Sequence, residues 1–406
     1  MKKVIALALT VVMALGMFSG CSASKFKLKD ISISDTITFG KYQGEEIEWE
    51  VLSRNFKVEE GTVSVQLLSK YALDNQPFNE DGESSWADSS LREWLNNDFL
   101  KAAFSSSEQK MIAETQYFNY TGDERYLKDK VYLLSYMWYR MRNDEAKCKP
   151  TDYAEDEGVI TEGNYCSYWC RDIVDSVYAT GGKKLSFAST IGPEGNVRAA
   201  GNPTKDAYSA DGIGVRPVIN IEFKLNFSMR DIDRGDIVTF GKHSGDALEW
   251  LVVDEGSKGI TLIARYGIDD RRMDRNAIEE FEESDLYEWL NEDFIKEYFT
   301  KKQIKLMTEF DSDNYVTLLS KEEIKEALSN KTNLKYEFYC GYVRSYYEDH
   351  PELEDAFPSD QKIIDEFWLS TVYDDGKAMA FSLAHLGKKF DVDSEHSVRP
   401  VIRIKF

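Results

Sequence analysis

The chain has 406 residues, of which 42% are hydrophobic and 13% aromatic, and its formal net charge is −22. This composition provides enough apolar surface for packed cores and excludes a disordered chain. The length predicts two or three domains of ordinary size. The strong negative charge disfavours nucleic acid and anionic lipid surfaces as partners.

The first twenty residues predict a segment that directs export. A basic MKK precedes an apolar run of 15 residues, which is short for a membrane span. Ser19 and Gly20 then lead directly into Cys21, and this arrangement resembles a bacterial lipobox, with Phe18 where Leu is usual. The resemblance implies cleavage before Cys21 and lipidation of that residue. The alternative is an ordinary cleaved signal peptide with a cysteine there by chance.

We therefore expect a signal peptide over 1–20 and a lipid-anchored tether over 21–26. The protein would sit on the cell membrane and face away from the cytoplasm, held by two or more acyl chains. Removal of 1–20 takes away two lysines and no acidic residue, so the mature charge becomes −24.

The mature chain then repeats one pattern of strands. ITFGKYQGEEIEWEVL at 37–52 matches VTFGKHSGDALEWLVV at 238–253, which aligns Trp49 with Trp250. Apolar and polar residues roughly alternate around a glycine, which predicts two strands joined by a turn. A third buried strand follows in each half.

A helix is predicted after these strands in both halves. SSLREWLNNDFLKAAF at 89–104 matches SDLYEWLNEDFIKEYF at 284–299, which aligns Trp94 with Trp289. Ser90 with Glu93, and Asp285 with Glu288, have the spacing of a capping box. A second short helix is expected at 107–114 and at 300–307.

Each half closes with a V-R-P motif, in GVRPVINIEF at 214–223 and SVRPVIRIKF at 397–406. The repeat predicts two tandem domains, at 27–224 and 225–406, that abut without a flexible linker. Strands, then helices, then more strands favour an α+β class, with two short helices in each domain.

Taken in order, these motifs resemble an uncharacterised family of bacterial extracellular domains. Those domains are similar to the C-type-lectin-like fold, in the branch that includes formylglycine-generating enzymes and their non-enzymatic relatives. The resemblance implies two tandem C-type-lectin-like domains. It implies no activity, because fold does not determine function.

Arg216 and Arg399 of the V-R-P motifs have two interpretations. Each could present a guanidinium to an anionic ligand, or each could bond backbone carbonyls or a buried carboxylate. Their recurrence in both halves favours the structural interpretation. A proline inside a strand also predicts an edge strand or a bulge here.

The candidate binding residues lie around NYCSYWCRD in the first half. Tyr165, Tyr168 and Trp169 belong to a tyrosine-rich stretch that could stack on sugars or peptides, or could simply pack. Arg171 has no counterpart in the second half, where Ser370 follows Trp368, so a ligand held by Arg171 would bind the first half only.

Three cysteines of the first half allow two interpretations. Cys166 and Cys170 resemble the cysteine pair of formylglycine-generating enzymes, whose spacing is wider by one residue. Export instead favours a disulfide, for which Cys148 and Cys166 are the predicted pair. Cys166 and Cys170 would lie about 13 Å apart along a strand, too far for a bond.

We expect no cofactor and no metal site, because no suitable set of ligands recurs. The predicted function is a non-enzymatic module that binds an extracellular glycan or protein. A thiol enzyme of the formylglycine-generating type and a scaffold without a small ligand are the alternatives.

Overall fold

The computed structural model describes residues 31–80, 85–119, 126–139, 146–176, 185–199, 212–243, 245–310, 314–329, 366–373, 375–381 and 387–405. The predicted signal peptide 1–20, the tether 21–26 and Cys21 lie outside these residues. Among the helices of the described segments, none combines the length and the apolar character that a membrane span requires.

The first half consists mostly of strands with a few short helices. Its strands are β1 Thr36–Tyr42, β2 Glu45–Lys57, β3 Thr62–Ser69, β4 Tyr71–Ala72, β5 Thr115–Phe118, β6 Tyr126–Asp129, β7 Val131–Tyr132, β8 Lys149–Pro150, β9 Thr161–Glu162, β10 Tyr165–Cys166, β11 Tyr168–Ser176, β12 Leu185–Ile191, β13 Val197–Ala199 and β14 Val218–Lys224. Its helices are α1 Ser90–Trp94, α2 Leu100–Ala103, α3 Glu108–Met111, α4 Tyr136–Tyr139 and α5 Asp152–Asp156.

The second half has the same character. Its strands are β15 Ile237–His243, β16 Asp246–Gly256, β17 Gly259–Ala264, β18 Asp269–Arg272, β19 Val316–Thr317, β20 Phe367–Tyr373, β21 Lys377–Phe381, β22 Lys388–Asp391, β23 Glu395–Val398 and β24 Val401–Ile404. Its helices are α6 Asp285–Trp289, α7 Ile295–Tyr298, α8 Lys301–Ile304 and α9 Lys321–Ser329. This mixture is consistent with the predicted α+β class, but the described residues of each half contain more than the two short helices that were predicted.

One large sheet runs through both halves, in the order β19-β24-β17-β16-β15-β2-β3-β14-β7, with β1 paired to β2. Its neighbouring strands are antiparallel except β2 and β15, which pair in parallel with Asn55 opposite Ile237. Each half contributes a matching set of five strands to it. The boundaries 27–224 and 225–406 remain predictions, but the halves meet through backbone hydrogen bonds.

Two smaller sheets carry strands between the helices and the closing strands, and β18, which precedes α6, joins the second of them. In the first half β12 lies between β11 and β13, and in the second the order is β18-β23-β20-β21-β22. β11 and β20 contain the matched tryptophans Trp169 and Trp368. These sheets stand beside the large sheet and hold the region where the sequence places the candidate site.

The predicted helix over 89–104 contains a π-helical turn. Leu95–Phe99 is π-helical between α1 and α2, and Leu290–Phe294 is π-helical between α6 and α7. The predicted capping boxes are wrong by one residue. Ser89 and Ser284 are the N-caps, because their extended backbones let each hydroxyl accept a hydrogen bond from the N–H three residues later.

An asparagine after each helical tryptophan fastens the π turn to the next strand. The Oδ1 of Asn96 accepts hydrogen bonds from the N–H groups of Lys130 and Val131, and its Nδ2 donates to the carbonyl oxygen of Val131. Asn291 makes the same contacts with Tyr315 and Val316. The WLN motif of the sequence therefore joins the helix to the large sheet.

The matched tryptophans Trp49 and Trp250 are buried. Their indole N–H groups donate to the carbonyl oxygens of Phe39 and Phe240, at 2.7 and 2.6 Å. The residue after each acceptor is a glycine with positive φ, and a Cβ there would lie 2.6 Å from a phenylalanine ring. This close approach explains why Gly40 and Gly241 stand at these turns.

The V-R-P motifs precede the closing strands. β14 begins at Val218 and β24 at Val401, directly after the prolines, so neither proline removes a hydrogen bond from a strand ladder. The expectation of an edge strand is wrong. β14 lies between β3 and β7, and β24 lies between β17 and β19.

Candidate functional site

Three of the four candidate binding residues are buried. Tyr168, Trp169 and Arg171 are exposed by 0%, 1% and 7%, and only Tyr165 is half-buried. The neighbouring Tyr136 and Tyr139 are also buried. Most of the described part of this tyrosine-rich stretch therefore packs inward, and of the four candidates only Tyr165 keeps part of its ring in solvent.

The tryptophans of β11 and β20 fill equivalent places. The indole N–H of Trp169 donates to the carbonyl oxygen of Gln76 at 2.9 Å, and that of Trp368 donates to Arg271 at 2.7 Å. Gln76 and Arg271 occupy aligned positions in the two halves. Trp169 thus fastens β11 to the segment after β4, whereas Trp368 of β20 bonds to β18 within its own small sheet.

Arg171 is held inside the first half. Its guanidinium carbon lies 4.7 Å from the ring centroid of Tyr117, and Nη1 donates to the carbonyl oxygen of Leu133 at 2.8 Å. Burial also raises the pKa of the neighbouring Asp172, whose Oδ2 accepts a hydrogen bond from the N–H of Tyr136. Arg171 joins β11 to the segment after β7.

Arg216 is buried among oxygen atoms and an aromatic ring. Nε donates to the carbonyl oxygen of Ser69 at 2.8 Å, Nη2 lies 3.1 Å from Oε2 of Glu50, and Nη1 donates to the Tyr168 hydroxyl at 3.3 Å. The guanidinium carbon is 5.3 Å from the centroid of that ring. The side chain links β2, β3 and β11.

Arg399 makes the equivalent contacts in the second half. Nε donates to the carbonyl oxygen of Ala264 at 2.9 Å, and Nη2 donates to that of Arg265 at 2.8 Å. Its guanidinium carbon lies 5.0 Å from the ring centroid of Phe367. Both V-R-P arginines have exposures of only 2–3%, so neither presents its charge to a solvent-borne ligand.

The three cysteines of the first half are buried free thiols. Cys148 and Cys166 face each other across an isolated antiparallel bridge, in which the N–H of Cys166 donates to the carbonyl oxygen of Cys148 at 2.9 Å. Burial raises the pKa of the Cys170 thiol well above its usual value. Within the described residues, no group of three or more His, Cys, Asp or Glu side chains is arranged to hold a metal ion.

A charged cleft of about 420 Å³ opens on the second half, and the sequence interpretation did not identify it. Its lining residues are Asp269, Asp270, Arg271, Arg272, Asp274, Arg275, Asp285, Leu286, Trp289 and Glu395. Five carboxylates against three guanidinium groups give the lining a formal charge of −2. Of the described residues, no serine, cysteine or histidine lines it.

The arginines of this cleft are positioned by their neighbours. The guanidinium carbon of Arg271 lies 3.8 Å from the ring centroid of Trp289, and its Nε lies 2.9 Å from Oδ2 of Asp269. Arg272 donates to Oε1 of Glu395 through Nη2 at 3.3 Å. Stacking on the indole fixes the plane of the Arg271 guanidinium.

Other charged groups of the cleft extend into solvent. The side chain of Arg275 is 81% exposed, and its Nε lies 3.9 Å from Oδ2 of Asp285, which is itself 59% exposed. Asp274, by contrast, is buried and accepts hydrogen bonds from the N–H groups of Asn276 and Asp285. The dense charge of DDRRMDR at 269–275 is the sequence signal of this cleft, although such a run is more often a solvated turn.

Comparison with known proteins gives a family for part of the chain. Residues 63–223 match a family model described as "Domain of unknown function (DUF6273)". The match extends from β3 to β14 and covers most of the first half. No curated protein and no solved structure matches the chain.

Proposed function

We propose that the protein is an exported, lipid-anchored binding protein with two tandem C-type-lectin-like domains and no enzymatic activity. The export signal and the cysteine after it support the anchor. The two matching sets of strands, each followed by a helical segment and a small sheet, support the tandem arrangement. The match to a domain family of unknown function is compatible with this proposal and adds no activity to it.

The charged cleft of the second half is the observation that carries the binding function. It is concave, solvent-accessible and lined by groups of both signs, which suits a ligand that carries charges of its own. Arg271 lies over the face of Trp289, so that face is not free for the ring of a neutral sugar. We therefore favour a charged segment of an extracellular protein over a neutral glycan.

The burial of the thiols gives the enzyme alternative little support. Catalytic cysteines need access to substrate and a stabilised thiolate. Cys166 and Cys170 are both completely buried, and the pKa of each is raised, for Cys166 by its hydrogen bond with Cys148 and by burial. Neither cysteine contributes to the charged cleft.

A binding array tests the proposal. The mature protein would be applied to immobilised extracellular peptides and glycans, together with an Arg272→Glu/Arg275→Glu variant. Both side chains are exposed, so the variant should fold normally and lose at least tenfold in affinity for charged peptides. Arg230→Glu, which changes an exposed arginine outside the cleft, should bind like wild type. Equal binding by the wild type and both variants would assign recognition to another surface.

A further inference from the structure

Cys148 and Cys166 lie in the geometry that a disulfide requires. Directly opposed residues of a hydrogen-bonded antiparallel pair have Cα atoms about 5.5 Å apart, which is within the 4.4–6.8 Å that disulfides span. Cys148 and Cys166 oppose each other across an isolated antiparallel bridge, in which the N–H of Cys166 donates to the carbonyl oxygen of Cys148. The Sγ of Cys166 also donates a hydrogen bond to the carbonyl oxygen of Cys148, at 3.6 Å.

The surroundings distinguish this pair from Cys170. The pKa of the Cys148 thiol is lowered, because the hydrogen bond with Cys166 and the nearby charge of Arg216 outweigh the effect of burial. Cys170 instead has a raised pKa and a hydrogen bond to the hydroxyl of Ser189. Within this group, Cys148 is therefore the thiol that ionises most readily.

We infer that Cys148 and Cys166 are joined by a disulfide in the exported protein, and that Cys170 remains a thiol. This bond closes the segment 148–166, which contains α5 and the hairpin of β9 and β10. The segment is tied to the rest of the first half by the N–H of Ile160, which donates to Gly212, and by Asn75, whose Nδ2 donates to Glu157. The disulfide would hold this segment beside the buried Arg216.

The chemistry requires a disulfide oxidant outside the cytoplasm. The thiolate of one of the two cysteines attacks a sulfur of the oxidant, which releases one thiol and forms a mixed disulfide. The thiolate of the other cysteine then attacks the sulfur of the first, forms the intramolecular bond and releases the second thiol. Two protons leave the cysteines, and the two electrons reduce the oxidant. Because both sulfurs are buried in the folded protein, this exchange takes place before folding is complete.

Peptide mapping tests the pair directly. The full mature chain would be refolded with oxidised and reduced glutathione, and its free thiols alkylated after denaturation. Trypsin leaves all three cysteines in one peptide, 148–171, and a glutamate-specific protease cuts it between Cys148 and Cys166. We expect the two pieces to stay linked until a reductant is added, and the oxidised protein to melt a few degrees higher than the reduced one.

Matched variants identify the partner. Cys170→Ser should keep the link, and Cys166→Ser should abolish it. Alkylation of Cys148, Cys166 and Cys170 together in the refolded wild type, or a link that survives Cys166→Ser, would overturn the inference. The inference assumes the proposed export, so whole cells would be alkylated before lysis as a separate arm. A bond that forms in glutathione but is missing in cells would count against export and leave the pairing intact.

Discussion

Arg54 of β2 and Asp236, which precedes β15, form a buried ion pair between the two halves of the chain. Nε of Arg54 donates to Oδ1 at 2.8 Å and Nη2 to Oδ2 at 2.5 Å, and the residues are exposed by 2% and 0%. Nη2 also donates to Asp233 at 2.7 Å. The halves are therefore joined by a two-point ion pair as well as by the parallel pairing of β2 with β15.

Arg54→Ala should strongly destabilise the protein. It leaves the carboxylate of Asp236 buried without its counter-charge, and breaking a buried pair in this way costs roughly 3–5 kcal/mol. Urea unfolding of wild type and variant measures the loss in the free energy of unfolding. Arg230→Ala, at an exposed position, serves as the control and should change little. An Arg54→Ala protein as stable as this control would show that the pair contributes nothing.

The same pair should give the stability a measurable pH dependence. Burial raises the pKa of Asp236 from 3.8 to about 6, although Arg54 opposes the shift. The folded state then binds a proton at Asp236 more tightly than the unfolded state does, so protonation of Asp236 stabilises the fold. This stabilisation is complete below pH 3.8 and is lost as the pH rises through 6.

The difference in unfolding free energy between wild type and Asp236→Asn isolates this effect. The free energy of unfolding of the wild type minus that of the variant should fall by about 2–3 kcal/mol between pH 4 and pH 7. It falls because the wild type loses stability as Asp236 ionises. Urea titrations at four pH values would measure it. A difference that rises with pH would mean that Arg54 holds the pKa of Asp236 below its ordinary value.

Arg216→Ala and Arg399→Ala should each lower the melting temperature by many degrees. Both side chains are buried, and their removal takes one donor from each of the carbonyl oxygens of Ser69 and Ala264. The loss is larger for Arg216, which also pairs with Glu50, although that carboxylate is 38% exposed and its charge stays solvated. Calorimetry of the two variants measures this loss. If both variants melt at the same temperature as the wild type, the two arginines are surface groups that can bind a ligand.

The repeated motifs allowed much of the local structure to be predicted. Alternating apolar residues indicated the strands around Trp49 and Trp250, and the spacing around Trp94 and Trp289 indicated the helices. The π turns were not predicted, because one extra residue in a turn barely alters an apolar helix face. The caps were placed one residue late, because two adjacent residues at each helix start can act as caps.

Longer-range features could not be predicted from the sequence. The parallel pairing of β2 with β15 joins backbones about 180 residues apart and leaves no periodic signal. Tyr168 and Trp169 were candidates for binding because aromatic residues serve surfaces and cores alike, and only the structure shows their burial. The cleft around Trp289 was missed because a run of mixed charges is also typical of solvent-exposed turns.

Asn291→Leu should destabilise the second half by about 1–3 kcal/mol, because it leaves the N–H groups of Tyr315 and Val316 without an acceptor. Asn291→Asp should be milder, since it keeps that acceptor and loses the donor to the carbonyl oxygens of Tyr287 and Val316. Chemical unfolding of both variants measures their free energies of unfolding and ranks the two substitutions. Asn97→Ala, at the exposed position of the first π turn, is the control. If Asn291→Leu matched this control, the asparagine would not fasten the helix to the sheet.

Cys21→Ser should release the protein from the cell membrane. The apolar run ends at Cys21, and the residues before it resemble a lipobox, so this cysteine is the predicted site of lipidation. Each buried CH₂ of an acyl chain contributes about 0.8 kcal/mol to membrane binding, and two or more chains anchor a protein stably. Without the sulfur to carry them, the exported chain should move to the soluble fraction and its mass should lack the lipid. Fractionation and intact mass spectrometry measure both effects, with Cys170→Ser as a matched change that should leave the anchor in place. A wild-type protein that is already soluble outside the cell, with Cys21 unmodified, would show that the segment is an ordinary cleaved signal.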